Sequence, residues 1–252
     1  MNSLALCDQL LAKGITPISY TGSTDYVNFW PLMAIEADFA TDALNNIKQG
    51  KGTWMDPSIE KSFDYFRSSA EKGYFGKNYL GVNEQGYQLA FTNGKAAMTI
   101  DGSWNNTIYA KSGMNLGHFF IPNDKGEKIA QLSISNWMTY SVASKTKYPD
   151  EAALYVNFLA SLEAQQIMED NTGIPILLKD IKPLDDSVKT MSSFDKLGAQ
   201  MHEIAVGCNS ETSKANELLI KQVVPQLITF KITGRQACEM MDKASTYPKP
   251  KN

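Results

Sequence analysis

Four apolar residues, Ile59, Phe63, Phe66 and Ala70, fall at i, i+4, i+7 and i+11 behind Asp56-Pro57, and Gly73 closes the run. That spacing places them on one stripe of a helix, and Glu60, Lys61, Asp64 and Arg67 take the opposite face. A helix with so marked a division buries one face and solvates the other, so this chain has to supply a core for it to lie on.

The surrounding pattern indicates what that core is. An amphipathic helix over about 4–13 ends at Gly14 and leads to a short strand, Thr16 to Ser19. The aromatic cluster Tyr26, Phe29, Trp30 then passes through Pro31 into a helix to about Ala40, with proline near the first turn, where its missing N–H is harmless. Gln85 to Thr92 reads as a helix stopped by Asn93-Gly94, and Ala96 to Ile100 as a buried strand that turns at Asp101-Gly102-Ser103 into Trp104. Gly117 to Ile121 and Met138 to Ala143 read as strands separated by a turn-rich segment. Helices follow over about 149–160, 161–171 with Ser161 as cap and Gly173 as stop, 187–205, 213–231 and 234–246. Short strands alternating with longer helices predict an α/β protein.

Composition removes several classes of function. With 252 residues, 43% of them hydrophobic, the chain is long enough for one large domain or two small ones. Twenty-four basic against 27 acidic residues give no broad positive field, so nucleic acid is not an expected partner. No run reaches the roughly 20 apolar residues of a bilayer span. Cys7, Cys208 and Cys238 fit neither a disulfide framework nor a zinc knuckle, and with two histidines no metal or cofactor is expected. The first residues carry no basic segment or small-residue cleavage site. Taken literally that means a cytoplasmic chain, and the alternative is a chain that starts partway into a larger protein.

Motifs for catalysis are absent: no G-x-G-x-x-G, P-loop, H-E-x-x-H or G-x-S-x-G, so no catalytic residue is nominated. His118 and His202 read as structural or solvent-facing. The aromatics are more informative. Trp104 follows a strand and a glycine turn, and α/β sheets bind ligands at the carboxyl ends of their strands. A sugar packs its C–H face on an indole while its hydroxyls require polar partners. Asp101 and Asn105 flank Trp104, Asp25, Tyr26, Asn28 and Trp30 form a second such group, and Asn136-Trp137 forms a third.

The run Phe91-Thr92-Asn93-Gly94-Lys95-Ala96-Ala97-Met98, continued by Gly102-Ser103-Trp104, resembles the "F-x-x-G-K-A-A-M … G-x-W" segment of the extracellular solute-binding proteins of ABC importers. Further pieces are similar in the same order. Asp25 to Leu32 resembles the "P-Y-x-x-W-P-L" region, Ala152 to Leu159 with Glu163-Ala164-Gln165 the "A-x-x-F-L-x-x-L" helix and its "E-x-Q" continuation, Gly173-Ile174-Pro175 the "G-x-x-P" turn, and Thr233-Gly234-Arg235-Gln236 the start of the final helix.

The resemblance implies a type II periplasmic-binding-protein-like α/β fold, two lobes closing on a ligand and read by a membrane permease, without covalent chemistry. It implies that residues 1–135 and 188–252 form the C-terminal lobe and 140–186 part of the N-terminal lobe, with most of that lobe lacking. Trp104 would be the stacking aromatic, Asp25 to Trp30 the wall beside it, and Asn136-Trp137 a hinge crossing. The ligand would be a mono- or oligosaccharide, the partners ABC permease subunits, and the location periplasmic or extracellular on a lipid anchor. Lys214, Asn216 and Glu217 stand where the family often has a second aromatic. A binding protein for another solute is the alternative, followed by a carbohydrate-active enzyme. An overexposed surface left by an absent lobe would promote self-association.

Overall fold

The computed structural model describes residues 3–121, 123, 125–130, 140–174, 176, 178, 180–184, 186–207 and 214–247. In chain order the elements are α1 (Ser3–Ala12), β1 (Thr16–Ser19), α2 (Trp30–Lys48), α3 (Pro57–Glu71), α4 (Glu84–Thr92), β2 (Ala96–Thr99), α5 (Asn106–Ala110), β3 (Ile129–Ala130), α6 (Pro149–Leu159), α7 (Leu162–Thr172), α8 (Asp186–Met191), β4 (Lys196–Leu197), α9 (Met201–Gly207), α10 (Lys214–Leu218), α11 (Val224–Ile228) and α12 (Gly234–Ala244). A π-helical segment, Leu219–Val223, joins α10 to α11. Pro225 lacks the N–H that would bond Lys221, and the wider winding just before it absorbs that gap.

The chain divides into two compact units. The first contains Met1–Asp101, Phe120–Leu132 and Asp195–Asn252, the second Gly102–Phe119 and Ser133–Phe194.

In the first unit, α3 lies between α2 and α12. Its predicted stripe is fully buried at Ile59, Phe63 and Phe66, against Leu32, Leu44 and Ile47 of α2 and Ala237, Cys238 and Met241 of α12. Asp56 caps α3 by accepting from Ser58 N at 2.9 Å. Tyr20 joins the same core, tilted on Phe75 with ring centroids 4.3 Å apart and edge-on to Phe66 at 6.1 Å. A capping box opens α12, with the Thr233 and Gln236 side chains each bonded to the other's backbone N–H.

The sheets are small. β1 and β2 run parallel, Thr16 opposite Ala96 and Ser19 opposite Thr99, and β3 pairs in parallel with β4.

Several sequence expectations are corrected. Gly117 to Ile121 is in no strand, and neither are the described residues 140–143; the rest of that second run lies outside the described residues. An apolar alternation specifies extended backbone but not the neighbour it must pair with. The helix expected over 187–205 is two helices separated by β4. Gly198 is the reason: a Cβ there would lie 2.7 Å from Ala37 Cβ and 3.0 Å from the Ile129 side chain, so the chain passes α2 where only glycine fits. The helix from Trp30 does not stop at Ala40. Thr41 bonds back to Ala37 O at 2.7 Å and accepts from Ala199 N at 3.1 Å, so it serves inside the helix rather than capping its end.

In the second unit, Ser161 caps α7 by accepting from Ala164 N at 3.2 Å, and Gly173 ends it in the left-handed region. Glu169 is buried and accepts from Ile176 N at 2.8 Å and Leu184 N at 3.1 Å, which fastens the chain after α7 to that helix. α6 has no buried residue.

Candidate functional site

Both strands of the first sheet end at one edge. β1 leaves through Tyr20 into the loop to Phe29, and β2 leaves through Ile100 to Asp101. The carboxyl edge of parallel strands is where an α/β sheet offers backbone ends and loop side chains to a ligand.

The first loop is tied down along its length. Gly22 N donates to Tyr79 O at 2.8 Å, and the Thr21 and Ser23 hydroxyls both donate to Val82 O, at 2.6 and 2.7 Å. That fastening presents Tyr26, 57% exposed, with its ring edge-on to half-buried Trp30 at 6.4 Å. The Tyr26 hydroxyl donates to Glu84 Oε2 in the first turn of α4, and this bond holds the phenol pKa above its ordinary value. Asp25 is exposed beside them. The Lys221 ammonium, raised first by its bond to Glu217 and then by that carboxylate's charge, also feels Asp25. An aromatic corner flanked by carboxylates and one ammonium can stack a ring and bond its hydroxyls.

Asn28 differs from its neighbours. It is fully buried, its backbone O accepts the Tyr20 hydroxyl at 2.7 Å, and neither Oδ1 nor Nδ2 has a hydrogen-bond partner among the described residues. A buried amide left in that state costs about 1–3 kcal/mol.

Asp101 is engaged within the fold: Tyr87 Oη donates to its Oδ2 at 2.9 Å, and burial, with that carboxylate's charge next, pushes the Tyr87 phenol far up. His202 packs on Phe29 at 5.8 Å and on Met33 Sδ at 3.2 Å, and burial lowers its pKa.

Trp104 belongs to the second unit. It lies in the single turn Ser103–Asn105 and is 53% exposed. Its indole lies over Gly102, where any Cβ would collide with the ring. The glycine therefore leaves room for the indole to lie over the backbone. Behind it, Asn105 and Asn106 are buried, and Asn106 Nδ2 donates to Gly173 O at 3.2 Å. Asn136 and Trp137 lie outside the described residues.

The first unit thus gathers Asp25, Tyr26, Asn28, Trp30 and Asp101 at one sheet edge. Glu84, Tyr87 and Lys221 are neighbours of this group that the sequence reading missed. They stand tens of residues away along the chain, and no local motif marks them. Among the described residues there is no group of three His, Cys, Asp or Glu that would hold a metal, and no helix is long and apolar enough to cross a membrane.

Residues 4–166 match the model of the family described as bacterial extracellular solute-binding protein. A multiple sugar-binding protein of Streptococcus mutans is 24% identical over 231 residues, covering 86% of this chain and 54% of that protein. An uncharacterised ABC transporter extracellular-binding protein of Pyrococcus horikoshii is 23% identical, covering 94% and 54%. The chain therefore spans about half the length of these curated relatives. Among solved structures, a chitin oligosaccharide binding protein superposes with TM-score 0.73 at 22% identity, covering 94% of this chain and 61% of that one. The solute-binding protein RafE in complex with raffinose gives 0.69 at 18%, covering 96% and 64%. The fold is α/β, of the type II periplasmic-binding-protein-like kind.

Proposed function

The chain belongs to the family of bacterial extracellular solute-binding proteins, and on that premise we propose that it is part of a carbohydrate-capturing component of an ABC importer. Capture is non-covalent, and delivery is to permease subunits in the membrane. The observation that carries the sugar assignment is Trp104, an exposed indole lying over Gly102. Separately, in the first unit, the Tyr26–Trp30 corner with Asp25 and Glu84 has the mixture of aromatic and polar groups that hydroxyl-rich rings require. Residues 1–135 and 188–252 are assigned to the C-terminal lobe and 140–186 to part of the N-terminal lobe. Asn136 and Trp137 remain in the proposed site by resemblance. An extracellular or periplasmic location accords with the family, and lipid anchoring is part of the proposal.

The test is titration of the whole chain with raffinose, chitin oligosaccharides and xylo-oligosaccharides, read by tryptophan fluorescence and melting temperature. A sugar that binds the folded chain raises its stability by mass action. Trp104→Ala is expected to weaken that binding about tenfold, equivalent to about 1.4 kcal/mol, with the melting temperature of the unliganded chain unchanged. No response to any sugar overturns the carbohydrate assignment. Release of cleaved sugar would replace capture by hydrolysis.

One observation favours a second reading. Asp25 and Glu84 set two carboxylates beside an aromatic pair, which also suits a cationic solute such as a polyamine. Spermidine in the same titration distinguishes the two.

A further inference from the structure

The segment from Tyr79 to Tyr87 braces both chain exits at the carboxyl edge of the first sheet. It runs through a short turn into the first residues of α4, where Asn83 caps the helix by accepting from Gly86 N at 2.9 Å. On the β1 side, Tyr79 O accepts from Gly22 N, Val82 O accepts the Thr21 and Ser23 hydroxyls, and Tyr87 O accepts from Ser19 Oγ at 2.6 Å. On the β2 side, the buried Tyr87 donates its hydroxyl to Asp101 at 2.9 Å. These bonds end on backbone or start from a buried side chain, and the fold accounts for them.

The bond from the Tyr26 hydroxyl to Glu84 is of another kind. Tyr26 is 57% exposed and takes no part in the core. A hydrogen bond at the surface competes with water and contributes little to stability, while holding an exposed ring in one position costs side-chain entropy. What such a bond achieves is preorganisation, because a ring already in place does not have to be ordered when a ligand arrives.

We propose that Glu84 is a positioning residue of the ligand edge, holding the Tyr26 ring edge-on to Trp30 through the phenol hydroxyl, with α4 as the base that also holds Asp101. The proposal rests on the reading of the Tyr26–Trp30 corner as part of a sugar site. Glu84 acts through Tyr26 and not by touching the sugar. The phenol gives its single proton to Glu84, so toward a ligand the ring offers its surface and the oxygen acts only as an acceptor.

Titration of the whole chain with raffinose, chitin oligosaccharides and xylo-oligosaccharides, repeated on variants, tests the binding side. Glu84→Ala and Tyr26→Phe should each weaken the sugar that binds by about tenfold. The double variant should be no weaker than either, because the two residues act as one unit. Glu84→Gln should keep most of the affinity, since its amide oxygen still accepts the phenol proton. Relaxation of the isotope-labelled Tyr26 ring, measured by nuclear magnetic resonance in the unliganded chain, should show lost order in Glu84→Ala and retained order in Glu84→Gln. Unchanged ring order in Glu84→Ala overturns the proposal. Additive losses in the double variant also overturn it, by giving the two residues separate contacts with the sugar, as does a loss in Glu84→Gln equal to that in Glu84→Ala. If none of the sugars binds the wild-type chain, the carbohydrate assignment falls, and the ring measurement alone decides for or against the role of Glu84.

Discussion

Glu36 sits within α2 with no exposed surface, and neither carboxylate oxygen has a hydrogen-bond partner among the described residues. Burial raises its pKa well above the ordinary 4.5, and its charge, when present, is felt by the Cys238 thiol of α12, itself pushed up to about 12 chiefly by burial. Asp38 on the same helix rises from 3.8 to about 7, also by burial. A carboxyl whose folded-state pKa exceeds its unfolded one keeps its proton longer in the folded chain. Its contribution to stability is therefore full below the unfolded value and is lost as pH rises toward the folded value. For Asp38 that window runs from 3.8 to about 7, and for Glu36 it begins at 4.5 and extends upward. Stability is expected to fall with pH across this range, with a slope on the order of 1 kcal/mol per unit. Glu36→Gln should flatten the slope and raise stability at neutral pH, as urea unfolding from pH 4 to 8 would show. A slope identical in wild type and variant would remove Glu36 from the account.

Among the elements, Gly198 controls how the segment after β4 passes α2. A Cβ would press on Ala37 at 2.7 Å, and backbone at the Ala37 Cα lies only 3.3 Å away. Gly198→Ala is expected to destabilise the first unit by about 1–3 kcal/mol through overpacking, and Ala37→Gly in the same chain should recover part of that loss. Additive losses in the double variant, measured by urea unfolding, would show that the two positions do not meet. This contact also explains which elements were legible in sequence. α3, α7 and α12 carry their own periodicity and caps, and all three were read nearly to the residue. The helix expected over 187–205 failed because apolar spacing continues across Gly198, and only a neighbour 161 positions earlier gives that glycine its meaning. The second half of α2 was missed because Thr41 turns its hydroxyl inward, donating to Ala37 O and accepting from Ala199 N, a bond that no local spacing announces. The candidate site divides the same way. Tyr26, Trp30 and Trp104 were readable as aromatics beside a carboxylate, Asp25, or a turn. Glu84, 58 positions from Tyr26, and the fastening of Asp101 by Tyr87 arise only when β1, β2 and α4 come together.

At the scale of the molecule, the two units differ in how much of themselves they bury. The first encloses Trp54, Phe63, Phe66, Leu32, Leu219 and Leu227 without exposed surface, and Trp54 is bonded at both ends of its residue, through Nε1 to Ser245 Oγ at 2.7 Å and through its backbone N to the Tyr247 hydroxyl at 3.1 Å. In the second, Val188 and Ala164 are buried, Glu169 holds the chain after α7, and α6 buries no residue at all. Local opening is least costly where few apolar contacts are lost, so the two units should open independently of the order in which their elements occur in the chain. Native-state hydrogen exchange is expected to give α6 amides protection lower than those of α2 and α3 by on the order of 100-fold or more. A sugar bound at the Tyr26–Trp30 corner should slow exchange in the loop between β1 and α2. Protection of α6 equal to that of α3 would mean that α6 is held as firmly as the core of the first unit.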